Sequence, residues 1–171
     1  TGTTTYRVLN GSSGAALINS TTGVAIGIKA GIITMLVTTS ATSIYDSLSV
    51  TQTIFVNKGS PTLTIISVNA LTKTLSATVV TNATYGRGGA ITYSIVAGSG
   101  SATVNALTGF ISAVSAGTVT LIAATPGDPD YNPSITSQLI LVGKSTPTLL
   151  ITSGNTMVVD GSLTATVQSS V

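Results

Sequence analysis

The chain repeats itself. Ala116-Gly-Thr-Val-Thr-Leu-Ile-Ala-Ala-Thr125, then Tyr131, then Gln138-Leu-Ile-Leu-Val-Gly-Lys144 follow Ala30-Gly-Ile-Ile-Thr-Met-Leu-Val-Thr-Thr39, Tyr45 and Gln52-Thr-Ile-Phe-Val-Asn-Lys58 at a constant offset of 86 residues (116 − 30 and 144 − 58). An offset held over that span marks an internal duplication, so each copy must be one folding unit or part of one. Within a copy the order is a Gly turn, an alternating strand, a polar loop with one Tyr, a second apolar strand, then Lys. Val119, Leu121 and Ala123 alternate with Thr118 and Thr120, which predicts a strand with one buried and one wetted face. The matching buried face is Ile33, Met35 and Val37.

The repeat extends upstream. Tyr6-Arg-Val8 answers Tyr93-Ser-Ile95, and Ala16-Leu-Ile-Asn19 with Thr22-Gly23 answers Ala102-Thr-Val-Asn105 with Thr108-Gly109. Each such pair reads as two short strands meeting at a tight turn. Pro61 and Pro147 follow the two lysines, and Pro at a strand start suits a junction because it has no N–H to donate. The boundaries predict a complete module of about seven strands at 61–144, the later part of a module at 1–58, and the first two strands of another at 147–171, with Leu163–Val167 as its second strand. Either the chain is a segment of a longer array, as the missing initiator Met suggests, or 147–171 of one molecule completes 1–58 of the next by strand exchange. No stretch carries a capped helical pattern, so the expected class is all-β, as tandem β-sandwich modules.

Composition narrows the functions. The 171 residues include 6 Lys+Arg, 4 Asp+Glu, no His and no Cys. The thiol nucleophile, the His that most often serves as general base and the soft metal ligands are therefore missing, and the expectation is a non-enzyme without cofactors. Arg7, Lys29, Lys58, Lys73, Arg87 and Lys144 are scattered rather than clustered, which argues against nucleic-acid binding. Ser and Thr, roughly a third of the chain, carry the wet faces instead. No apolar run approaches the ~18 residues of a spanning helix. Aromatics at 4% are too few for the girdles of a membrane barrel, so membrane insertion is not expected.

Three sets of residues invite a functional reading. Asp128-Pro-Asp130-Tyr-Asn132 spaces three oxygen-bearing side chains at i, i+2 and i+4, as at the start of a Ca²⁺ loop. The other copy has Thr42, Ile44 and Asp46 there, and no Glu exists to complete a shell, so a solvated turn is expected. Tyr45 and Tyr131 could stack on sugar rings, as in a carbohydrate-binding module, but their recurrence favours rings that plug the end of a sandwich. Asn10-Gly-Ser12, Asn19-Ser-Thr21 and Asn82-Ala-Thr84 fit the N-glycan acceptor pattern. In so Ser/Thr-rich a chain such matches arise by chance.

Ile91-Thr-Tyr-Ser-Ile95, Ala102-Thr-Val104, Ala116–Thr125, Tyr131-Asn132 and Val142-Gly-Lys-Ser-Thr-Pro-Thr-Leu149 together resemble bacterial Ig-like tandem repeats of giant cell-surface adhesins, including the gliding-motility adhesins of Bacteroidetes. The resemblance covers the whole chain, once in full and twice in part. It implies Ig-like sandwiches with a period of about 86 residues, an extracellular, cell-surface location, and a role as stalk, spacer or adhesive filament. Its partners would be neighbouring modules, surface polysaccharide or identical molecules head to tail. Asp46-Ser47-Leu48 is similar to the Bacteroidetes O-glycosylation signal, which marks Ser47. Some Ig-like adhesin modules carry a Lys–Asn isopeptide bond. Lys58 and Lys144 lie in linkers with no Glu to promote one, so solvated lysines are expected there.

Overall fold

The computed structural model describes residues 2–9, 13–66, 69–73, 75–83 and 89–170. Asn10-Gly-Ser12, the Thr84 end of the third glycan-acceptor match and Arg87 lie outside the described residues. Every regular element among the described residues is a strand, so the fold is all-β.

The described residues of 61–144 carry nine short strands where about seven are predicted: β6 (Leu63–Ile65), β7 (Ala70–Thr72), β8 (Ser76–Thr78), β9 (Thr81–Ala83), β10 (Thr92–Ala97), β11 (Ser101–Val104), β12 (Phe110–Ser115), β13 (Gly117–Thr125) and β14 (Ser134–Gly143). The excess has a simple cause. The strands that open the module, at Leu63–Ile65 and Ser76–Thr78, are each followed by a second short piece that bonds to a different partner. β6 pairs with β9, β7 runs parallel to β14, and β8 pairs with β12. One sheet has the order β10-β13-β14-β7 and the other β11-β12-β8.

The two sheets face each other across one core. Val119, Leu121, Ile140 and Val142 come from the first sheet and Ile111 from the second, all essentially inaccessible, and Leu71 and Val79 close the margins. Ala77, Ala102, Val104 and Ala113 pack against them from the second sheet. The alternation of β13 is the reason: Val119, Leu121, Ala123 and Thr125 are buried while their neighbours are half-exposed. Burying an aliphatic side chain of this size is worth about 1.5–3 kcal/mol, and this is where the fold draws its stability.

Residues 4–56 reproduce the later part of this arrangement with β1 (Thr4–Val8), β2 (Ala15–Ile18), β3 (Ala25–Lys29), β4 (Gly31–Thr39) and β5 (Leu48–Val56). The registers agree pair for pair. Tyr6 faces Val37 as Tyr93 faces Ala123, and Gly31 faces Val56 as Gly117 faces Val142. Even the register shift after Ala15 recurs after Ser101. Burial does not agree. Ile33 is buried, but Met35, Val37, Ile54 and Val56 are only partly covered, because among the described residues no counterparts of β6 to β9 lie over them.

The last segment forms a two-stranded hairpin, β15 (Thr148–Ile151) with β16 (Val167–Ser170). The predicted strand at Leu163–Val167 is displaced toward the C-terminus. The hairpin takes the register of β6 with β9: Leu149 faces Ser169 as Leu63 faces Ala83, and Thr152 N–H donates to Thr166 O at 2.9 Å as Ile66 does to Val80 at 2.9 Å. Val167 therefore stands in the place of Thr81 rather than Val79. Where Leu63 is 4% exposed, Leu149 is 73% exposed.

Candidate functional site

The loop after β13 folds on itself first. Asp128 Oδ1 accepts from Asp130 N–H at 2.8 Å and Tyr131 N–H at 2.7 Å, and Asp128 N–H donates to Tyr131 O at 3.0 Å. A short carboxylate that bonds the backbone two and three residues on is the Asx arrangement, which lets Asp close a turn without help from a strand. Pro129 fixes φ inside that turn.

The turn then grips the segment between the two copies. Gly59 N–H donates to Asp130 O at 2.9 Å and Asn132 N–H donates to Gly59 O at 2.8 Å, which makes a parallel bridge between Gly59 and Tyr131. Asp130 Oδ1 accepts from Ala30 N–H at 2.7 Å. Lys58 Nζ donates to Asp128 O at 2.9 Å, and Asn132 Nδ2 donates to Ser60 Oγ at 3.0 Å. The Tyr131 ring lies on Gly59 so closely that a Cβ there would be 2.9 Å from Cδ1 and from Cε1. Beside these contacts lies a cavity of about 320 Å³ lined by Lys29, Ala30, Val56, Asn57, Asp130 and Tyr131, among others.

This places each residue singled out in the sequence. Asp128, Asp130 and Asn132 do not converge on one point: Asp128 holds its own turn, Asp130 reaches the first copy, and Asn132 reaches the linker. Among the described residues no group of three His, Cys, Asp or Glu is placed to hold a metal. Tyr131 seals the linker instead of plugging the end of a sandwich. Tyr45 does neither and is 74% exposed. Its loop has the same skeleton, since Thr42 Oγ1 accepts from Ile44 N–H at 3.3 Å and Tyr45 N–H at 3.0 Å, but Ile44 replaces Asp130 and is 80% exposed. Lys58, expected to be solvated, is exposed, and its ammonium donates to Asp128 O. Lys144 is exposed, and Ser47 is exposed in the irregular segment before β5.

One pair of residues was not singled out as a site. Tyr6 lies against Gly23 and Tyr93 against Gly109, and those glycines close turns capped by Asn19 and Asn105. Asn105 Oδ1 accepts from Leu107 and Thr108 N–H at 3.0 and 2.9 Å, as Asn19 Oδ1 does from Thr21 and Thr22 at 3.0 and 2.9 Å. The signal in the sequence is the repeated Asn-x-x-Thr-Gly at 19–23 and 105–109.

No protein-family model matches the chain, and no curated protein does. Among solved structures, a crystal structure of Drosophila N-cadherin EC1-3 aligns at 12% identity with a TM-score of 0.37, over 84% of this chain and 56% of that one. The chain thus spans a little over half the length of that structure, and a similarity at this level carries no argument about what the chain does. No helix of the described residues is long and apolar enough to cross a membrane.

Proposed function

We propose that the chain is part of a tandem array of Ig-like modules that serves as an extracellular spacer or stalk. The observation that carries this reading is the joint at Gly59, where the linker is taken up as a bridging residue by the loop of the next copy instead of hanging free. A spacer needs junctions that transmit orientation. The matching registers of β1–β5 and β10–β14 support a repeated unit, and the long antiparallel pairing of β13 with β14 supplies a ladder that must shear before the complete module extends. Single-molecule pulling on the full chain tests this. Residues 61–144 should give one discrete unfolding step with a length gain of roughly 250 Å, from about 3.4 Å per released residue. Smooth extension with no force-resistant step would sink the reading.

A second reading has an observation of its own. The β15–β16 hairpin has the register of β6–β9 but its apolar residues are exposed, with Leu149 73%, Ile151 71% and Val167 58% accessible. The face of β4 and β5 that such a hairpin would cover is half-open. Filament formation by exchange of this hairpin between molecules predicts a mass that climbs with concentration in sedimentation equilibrium. A constant monomer mass would rule it out.

A further inference from the structure

We infer that the loop Asp128–Asn132 is a latch that fixes the angle between the two copies, and that latch and linker are a matched pair. Four elements meet at the joint, namely the linker at 57–60, the β3–β4 turn at Ala30, the loop at 128–132 and the strand end at Val56. Covalent connection alone would leave two strand-ended bodies free to swing about a linker of this length. Here five hydrogen bonds tie the loop across the joint, from two parts of the chain: Gly59 N–H and O, Lys58 Nζ and Ser60 Oγ from the linker, and Ala30 N–H from the first copy. The Ala30 bond does most to fix the angle. It is the contact that reaches past the linker to the first copy itself, and its acceptor is a carboxylate, the stronger kind of partner for an amide.

The matching follows from the other copy of each part. The linker after β14 carries Ser145 where Gly59 stands, and a Cβ at that place would run into the ring of a Tyr in the position of Tyr131. The loop after β4 carries Ile44 where Asp130 stands and offers no side-chain acceptor to an amide. Gly at the linker, Tyr on the loop and an acceptor two residues after the turn-closing residue therefore belong together. The joint partner of this loop is a module edge with a free amide at the β3–β4 turn and a glycine linker behind it. This rests on the geometry of the one joint and holds whether or not the chain comes from a long array.

The chain has no Cys, so spin labels at Thr51→Cys and Ser94→Cys, on exposed positions of the two copies, report the joint without interference. Electron-electron distance measurement on the full chain should give one narrow distribution. Asp130→Ala should broaden it and speed exchange of the Ala30 amide at least roughly tenfold, the weight of a charge-assisted bond. Asp130→Asn, which keeps an acceptor oxygen, should stay narrow, and Gly59→Ser should broaden it by displacing Tyr131. A thermal melt of each variant shows that the modules themselves are intact. A distribution already broad in the parent chain, or one that Asp130→Ala and Gly59→Ser both leave narrow, would overturn the latch. Asp130→Asn as broad as Asp130→Ala would overturn the role given to the acceptor. If Asp130→Ala fails to fold, Gly59→Ser with and without Tyr131→Ala decides: the latch requires the double variant to be narrower than the single one.

Discussion

Gly100 and Gly117 touch backbone to backbone: a Cβ on Gly100 would lie 2.8 Å from the Gly117 Cα, and Gly117 itself holds φ at 135°. Gly14 and Gly31 repeat the contact, with Gly31 at φ 139°. This approach lets β12 turn directly into β13, and so lets one strand of each sheet follow the other without a loop. Gly117→Ala meets both a clash and a left-handed backbone, and should cost on the order of 3 kcal/mol or more. Gly143→Ala is the control. Its Cβ would make only ordinary contact with Thr72 Cγ2 at 3.6 Å, so its change should stay within about 1 kcal/mol. Chemical denaturation of the two variants reads the difference, and equal costs would show that the close approach is not what constrains this turn.

The same sequence position carries different weight in the two copies. Leu121 is fully buried between the sheets, while its counterpart Met35 is only half-covered. Leu121→Ala should therefore lose about 3–5 kcal/mol, the range for an enclosed cavity, whereas Met35→Ala should fall below the ~2 kcal/mol seen for buried sites. For a unit of this size, about 1 kcal/mol moves Tm by roughly 4–8 °C. Calorimetry should show the first variant moving the main transition and the second leaving it nearly in place.

Both results depend on what periodicity can and cannot carry. The alternation at Val119, Leu121 and Ala123 was enough to assign the strand and its inward face, because side-chain direction in a strand is set by the backbone alone. Burial was not legible for Ile33, Met35 and Val37, which alternate equally well, because covering them is the job of strands elsewhere in the chain. The loop is illegible in the sequence for a related reason. Asp128, Asp130 and Asn132 are readable as a spaced set of oxygens, but spacing in a turn says nothing of which groups are used: only Asp130 reaches across with a side-chain oxygen, Asp128 does so through its main-chain O and Asn132 through its amide nitrogen, and the partners Ala30, Lys58 and Ser60 lie 70 to 100 residues away. Tyr131 and Tyr45 are equivalent by offset, and what distinguishes them is the glycine that Tyr131 packs on and the Asp130 beside it, where Tyr45 has Ile44.

The Asn-capped turns make a prediction that sequence context alone would miss. Asn105 Oδ1 satisfies two backbone amides and thereby holds Gly109 under the Tyr93 ring. Asn105→Ala should cost about 1 kcal/mol, by analogy with losing a cap, while Asn105→Asp should be nearly neutral because its carboxylate offers the same acceptor. Loss of stability in both variants alike would point to the amide nitrogen, not the oxygen, as the group that matters.

Tyr93 and Thr81 offer the sharpest test of how the β6–β9 pair is held to the rest of the module. The Tyr93 hydroxyl and Thr81 Oγ1 share a hydrogen bond of 3.0 Å, part-buried, between a strand of the four-stranded sheet and the short strand β9. The Tyr93 ring is otherwise committed to Gly109 and the core margin, so Tyr93→Phe removes the hydroxyl with little repacking. Thr81→Val removes the partner and keeps the β-branched shape. Each single change should cost about 1 kcal/mol, part of it from leaving the other hydroxyl without a partner. In the double variant both hydroxyls are gone, so the cost should fall short of the sum by about 0.5–1.5 kcal/mol. Urea denaturation of the four proteins measures this coupling. A coupling indistinguishable from zero would mean that β9 is held by the apolar contacts of Leu63 and Val79 alone, and that the hydroxyl pair forms only because packing has already brought the two strands together.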